Sequence, residues 1–329
     1  MSYPQEYTKF AKAMAWLSIP TPFLGYAILL FFIISGFCIH YPNTGSNTTP
    51  SWKTYFFRRF WRIYPTYLAA VLLTAVISFS CFIIWGDQTW DIVRVFRVAT
   101  ITQNYPPSNG QFLSNPSLWT IPLEVEFYLL YPLAFYLYVK SSTWALVLLA
   151  FGLSAWSVYL SSQGNTWLSF TSMLFWPSWL LGAWVANVFA QGRLSTFKNS
   201  YLVFTLVVSL ALALVSRLEN WSQWLQYTAW AGFYFFFFIF CLINSKLFKS
   251  KFIYPISKGL SWIGKISFSL YLVHFPLFKL FGYFHLEFFE SKPENFLVTL
   301  LYILPVILFS WFFHITIERP IHQWSKKNQ

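Results

Sequence analysis

The stretch LWTIPLEVEFYLLYP, Leu118 to Pro132, sets two carboxylates, Glu124 and Glu126, inside a run that otherwise reads as a membrane span. A charged side chain at the bilayer centre costs at least about 3 kcal/mol on insertion scales. A chain that carries two of them within three residues therefore either buries them between helices or uses them. On a helix, positions two apart point about 200° away from each other. Glu124 shares its face with Tyr128 and Tyr131, a polar-tipped stripe suited to line a cavity, whereas Glu126 shares its face with Leu129 and Leu130. Glu124 is thus the candidate functional carboxylate. The competing reading is a structural hydrogen bond or ion pair inside a bundle, and spacing alone leaves both standing.

The rest of the chain repeats the apolar pattern. Of its 329 residues, 57% are hydrophobic and 10% charged, against about 25% charged in a typical soluble domain. Runs near the roughly 20 residues that a spanning helix needs are expected at about 23–40, 64–86, 120–139, 144–162, 171–190, 201–216, 226–245, 266–286 and 296–316. The fold class is therefore all-α: a polytopic integral membrane helical bundle of about nine transmembrane helices, with eight or ten as alternatives, forming one unit over residues 1–329 without a soluble domain.

The net charge of +12 would suggest nucleic acid in a soluble protein. Here the basic residues fall in short loops between spans, no nucleic-acid motif is present, and fifteen of the 22 lysines and arginines lie on one side against six on the other. Such asymmetry places the richer side, with the C-terminus, in the cytoplasm. Lys279 lies within a span. Cys38, Cys81 and Cys241 also fall in spans without ligand spacing. There is no GxSxG elbow, Walker A loop, HExxH or CxxC, so nucleotide hydrolysis and zinc proteolysis lack support, and no metal is expected. The loop 87–119, rich in Pro, Asn, Ser and Gly, is long enough to form a lid or a re-entrant segment, with a plain connector as the bland alternative.

Four further segments carry polar groups at helical spacing. In KISFSLYLVHFPLFK, Ser267, Tyr271 and His274 share one face near mid-span; His274 is either a general base or proton relay, or a histidine bonded to a neighbouring helix. In YFFRRFWRIYP, Arg58, Arg59 and Arg62 make one helical surface basic, which suits phosphate groups such as those of a coenzyme A tail, or equally lipid headgroups. In FFIISGFCIH, Ser35-Gly36 permits close approach of a helix or ligand, and His40 stands at the cytoplasmic boundary. After the last span comes IERPIH, where Pro320 is expected to end the helix and Glu318 and Arg319 to form a structural pair.

Taken together, LFFIISGF, RRFWRIYP, LWTIPLEVEFYLLYP, ISFSLYLVHFPLF and IERP, in that order along nearly the whole chain, resemble membrane acyltransferase family 3, the integral-membrane O-acyltransferases of cell-surface polysaccharides. The resemblance implies transfer of an acyl group, usually acetyl, from cytosolic acyl-CoA as co-substrate to a sugar hydroxyl of a surface or lipid-linked glycan, in the bacterial inner (plasma) membrane. No bound cofactor is implied. Glu124 and His274 would be catalytic, with Arg58, Arg59 and Arg62 binding the donor and Ser35, Trp119, Tyr128, Ser267 and Tyr271 in support. Partners would be acyl-CoA, the glycan acceptor, membrane lipid and a second copy of the chain in a homo-oligomer. The sequence departs from the family in two places: Leu29 stands where an Asp is usual, and residues 1–22 hold neither the Arg nor the His of the family's first span, so the chain reads as a member lacking that span. A regulatory, partner-binding member and a glycan or lipid transporter are the alternative functions.

Overall fold

The computed structural model describes residues 21–45, 50–107, 113, 115–140, 143–251, 253–291 and 296–327; the segment in which the family's first span was sought lies mostly outside them. Among the described residues the chain is all helical. After a single turn at Thr21–Leu24 come α1 (Ala27–His40), α2 (Trp52–Trp85), α3 (Ile92–Ala99), α4 (Thr120–Lys140), α5 (Thr143–Ser162), α6 (Ser172–Ala190), α7 (Asn199–Leu218), α8 (Gln223–Ile243), α9 (Tyr254–Phe289), α10 (Phe296–Phe313) and α11 (Arg319–Lys327). Every expected apolar run is helical. Seven helical stretches are both long and apolar enough to cross a membrane. The two that fall short do so for separate reasons. α1 has only 14 residues, and α4 has its hydropathy lowered by the two glutamates and by Pro132.

α1 and α6 cross with their backbones in contact. A Cβ on Gly36 would lie 1.9 Å from the Trp179 carbonyl oxygen, and one on Gly182 would lie 1.8 Å from that of Ile33. Only glycine permits this approach. The close approach read from Ser35-Gly36 is thus to a helix. Around this crossing the core is aromatic, with Phe127 stacked on Trp179 at 5.8 Å and edge-on to Phe32 at 5.2 Å.

The long loop re-enters the bundle. Asp91 caps α3 by accepting from the Val93 N–H at 2.8 Å. The carbonyls at the other end of α3 accept from α2: Val98 from the Tyr67 hydroxyl at 2.5 Å and Ala99 from Tyr64 at 3.2 Å. Tyr67 stands roughly 27 Å back from Trp85 along the helix axis, so α3, buried at Val98, carries the chain back along α2. Arg97 then donates to the carbonyls of Thr102, Tyr105 and Pro106, and the buried amides of Gln103 and Asn104 donate to Leu118 O and Trp119 O. These bonds satisfy an irregular backbone that is buried at Gln103 and Asn104.

Pro320 does not end the last helix. A π-helical turn, His314–Glu318, follows α10 and runs without a break into α11, which takes in Pro320. Glu318 is bonded by His314 Nδ1 at 2.9 Å and by the Ser269 hydroxyl at 2.5 Å rather than paired with Arg319. Lys279 is neutralised by an ion pair with Asp87 and donates to Thr89 at 2.7 Å.

Candidate active site

The polar stripe on α4 lies at the centre of the bundle. Glu124 is 3% exposed. Its Oε2 accepts from the Ser35 hydroxyl of α1 at 3.1 Å, and its Oε1 is buried without a hydrogen-bond partner. The Tyr128 hydroxyl lies beside the carboxylate, and Arg59 and Arg62 of α2 are its nearest positive charges. Neither arginine forms an ion pair with it among the described residues. Arg59 is held instead between two rings, 5.5 Å from that of Tyr55 and 5.4 Å from that of Tyr128, and its Nε is another buried donor without a partner. Cation–ring contacts fix the guanidinium without consuming its fork. Arg58 and Arg62 are exposed.

A histidine stands near each end of this stripe. Toward its start, Thr120 shares a 2.5 Å hydrogen bond with the Tyr271 hydroxyl of α9, and Tyr271 also donates to the Ser117 carbonyl. One turn beyond Tyr271 is His274. Its Nδ1 faces the carbonyls of Leu270 at 3.0 Å and Tyr271 at 2.9 Å. A carbonyl only accepts, so Nδ1 carries the hydrogen and Nε2 keeps its lone pair, the tautomer a proton acceptor needs. Toward the other end, His40 is buried. Its Nε2 accepts from Asn187 at 2.9 Å, and Nδ1 meets the Tyr131 hydroxyl at 3.2 Å. Beside it is a cavity of about 20 Å³ lined by Tyr131, Tyr138, Trp179 and Trp184 among others, room for a single water.

Two prolines free the carbonyls that hold these helices in register. Pro276 has no N–H for Leu272 O, which accepts instead from the Asn115 side chain at 2.7 Å. Pro132 likewise frees Tyr128 O, which accepts from the Tyr55 hydroxyl at 3.4 Å. The loop before α4 is thereby tied to α9, and α2 to α4.

The residues singled out by sequence are distributed as follows. The structure brings together Glu124, Ser35, Arg59, Arg62 and Tyr128, and links Tyr271 and His274 to them through Thr120. Trp119 packs on Phe170 and Phe175, with centroids 5.8 and 5.7 Å away. Ser267 is exposed and donates to Gly264 O of its own helix at 2.8 Å, away from this group. Arg58 is likewise on the outer side of α2. Glu126 faces elsewhere, as the 200° separation requires. Its Oε1 accepts from Tyr105 at 2.5 Å and its Oε2 from the Ser172 N–H at 2.6 Å, a carboxylate at the start of α6. Burial, and the carboxylate it donates to, hold the Tyr105 hydroxyl above the usual phenol range. Sequence reading missed Thr120, Asn115, Tyr55 and Asn187. Thr120 was within reach, one turn before Glu124 on the same face.

Residues 3–315 match the model of a family described as an acyltransferase domain. The chain belongs to this family. Among curated proteins it is 28% identical over 296 residues to the O-acetyltransferase OatA of Staphylococcus aureus strain NCTC 8325 / PS 47, an alignment covering 80% of this chain and 46% of that protein. The OatA proteins of strains COL and MRSA252 are similar to the same extent. The chain thus spans about half the length of the curated relatives it matches, at 46%. No solved structure matches. The family match runs from before α1 to the π-helical turn after α10, so it takes in every residue of the stripe and stops short of α11.

Proposed function

We propose that this chain is an integral-membrane O-acyltransferase of the plasma membrane. It moves an acyl group, acetyl in the first instance, from cytosolic acyl-CoA to a sugar hydroxyl of a surface or lipid-linked glycan. The observation that carries the reading is Glu124: a buried carboxylate bonded by the Ser35 hydroxyl with the Tyr128 hydroxyl beside it, one oxygen without a hydrogen-bond partner, and two guanidinium groups nearby that form no ion pair with it. Glu126 is the contrast on the same helix, with both of its oxygens engaged. Family membership and the identity to O-acetyltransferases support the reaction class.

In this reading the basic loops face the cytoplasm, and the donor's phosphates rest on Arg59 and Arg62, with Arg58 at the rim. The thioester enters beside Glu124. The sugar hydroxyl attacks the thioester carbonyl carbon as its proton passes to a base. The tetrahedral adduct then collapses with cleavage of the carbon–sulfur bond, and the thiolate takes up a proton to leave as free coenzyme A. The reading offers two acceptors for the hydroxyl proton, Glu124 Oε1 and His274 Nε2.

The test is transfer of radiolabelled acetyl from acetyl-CoA to envelope glycans in membranes carrying the chain. Glu124→Gln should lower labelling by about 100-fold or more, the scale of a lost general base or its partner. Labelling at the unsubstituted level in that variant would overturn the assignment.

A further inference from the structure

Helix α11 lies beyond the residues that match the family, and it packs back on the start of α2. The Trp324 ring is 4.4 Å from that of Trp61, and Ser325 is buried. His322 and Lys326 are one turn apart and so share a face, flanking Ser325 on the side away from Trp324. Both are exposed. His322 is within electrostatic reach of both Lys326 and Arg62. The one carboxylate that acts on His322, Glu318, is already engaged by Ser269 and His314. Among the described residues no ion pair involves Arg62 or Lys326. The fold therefore gathers the cations Arg62 and Lys326, with the His322 imidazole within reach of both, from two distant parts of the sequence onto one exposed surface. Bringing like charges together is costly unless an anion joins them.

We infer that α11 is part of the donor site: His322 and Lys326, together with Arg62, bind phosphate groups of the acyl-CoA. This rests on the donor reading above and extends it to residues outside the family match. Guanidinium forks and an ammonium offer complementary contacts to phosphate, the first bidentate and the second a point charge. The same chemistry would suit the headgroup of an anionic lipid, which the test separates.

The experiment uses the full chain in nanodiscs and measures the Kd for coenzyme A by calorimetry. Lys326→Ala and His322→Gln should each weaken binding about fivefold to tenfold, the scale of a lost hydrogen bond to a charged group, with Lys326→Arg restoring most of it. Lys249→Ala, an equal loss of charge on the turn between α8 and α9, should leave Kd unchanged. If the unsubstituted chain does not bind coenzyme A, the donor reading and this inference fall together. If it binds and Arg62→Ala weakens binding, while Lys326→Ala and His322→Gln do not, the donor reading stands and the inference is wrong. Nanodiscs with and without phosphatidylglycerol form the second arm. A Lys326→Ala effect seen only with the anionic lipid would assign α11 to headgroups and overturn the inference.

Discussion

Glu124 and Glu126 show how one helix gives two identical side chains different work. Glu126 ties the re-entrant loop to the start of α6 through Tyr105 and Ser172. Glu126→Gln should therefore lower thermal stability, by about 1–3 kcal/mol for a weakened charge-assisted bond, while turnover per folded molecule changes little. A large fall in turnover with an unchanged melt would contradict that division. Ser35→Ala should act the other way. It removes the hydroxyl bonded to Glu124 Oε2, so turnover should drop about tenfold with little change in melting. That Glu124 and Glu126 face apart was legible from the helical period alone. What Glu126 bonds to was not, because Tyr105 and Ser172 reach it from segments whose placement depends on the whole bundle. Ser267 illustrates the same limit: its spacing puts it on the face of Tyr271, but α9 extends past the core at that end.

The helices themselves were largely readable, because burial in lipid leaves few other ways to satisfy a backbone. Their ends were less so. α2 begins at Trp52, well before the apolar run, since its arginine-bearing turns are propped by Trp52 and Tyr55 packing on Tyr131. Chain continuity through the π-helical turn likewise overrode the stop expected at Pro320. The crossing of α1 and α6 gives the sharpest expectation here. Gly36→Ala and Gly182→Ala would each drive a methyl into a carbonyl oxygen and force the helices apart, costing about 1–3 kcal/mol or more. Because Ser35 sits beside Gly36, separation should also remove its bond to Glu124, so activity should fall with stability. Size-exclusion profiles and melts of the solubilised variants, beside transfer assays, would check both. A Gly36→Ala chain with unchanged melting and turnover would show that this contact is not needed.

Across the molecule, charge is used sparingly, and one pair ties two helices together. Asp87 is buried at the end of α2 against Lys279 of α9. Burial alone would raise its carboxyl, but hydrogen bonds from Lys279 and Thr89 outweigh this and hold it below the usual range. The stabilisation is thus present above the unfolded aspartate's value near about 4, and is lost as pH falls through the lower folded value. Melting temperature should fall on acidification through that window, and the dependence should flatten in Asp87→Asn. The same variant should be less stable at neutral pH by about 1–3 kcal/mol, because it removes a charge-assisted bond from the half-buried Lys279. The loops' positive bias makes a second prediction for the chain as a whole: a fluorescent protein fused after Gln329 should light up in the cytoplasm, and a periplasmic phosphatase fused there should stay inactive. The opposite pattern would invert the proposed orientation and with it the donor side. The expected sidedness rests on counted lysines and arginines. The return of the loop's described residues to the bundle was only one of three readings, since turn residues say that a chain bends and not where it goes.

Asn115 and Pro276 act as a couple. Asn115 donates to a carbonyl that is open because Pro276 has nothing to give it, so either residue without the other is a liability. Replacing Pro276 alone would restore a backbone donor that competes with Asn115 for Leu272 O, and replacing Asn115 alone would strand that oxygen in an apolar interior. A lineage leaving this arrangement must therefore cross a less fit intermediate, or change both codons at once. The two single costs should exceed the cost of the double change, and that deficit would be the measure of how firmly 161 positions of separation have been tied together in the history of this sequence.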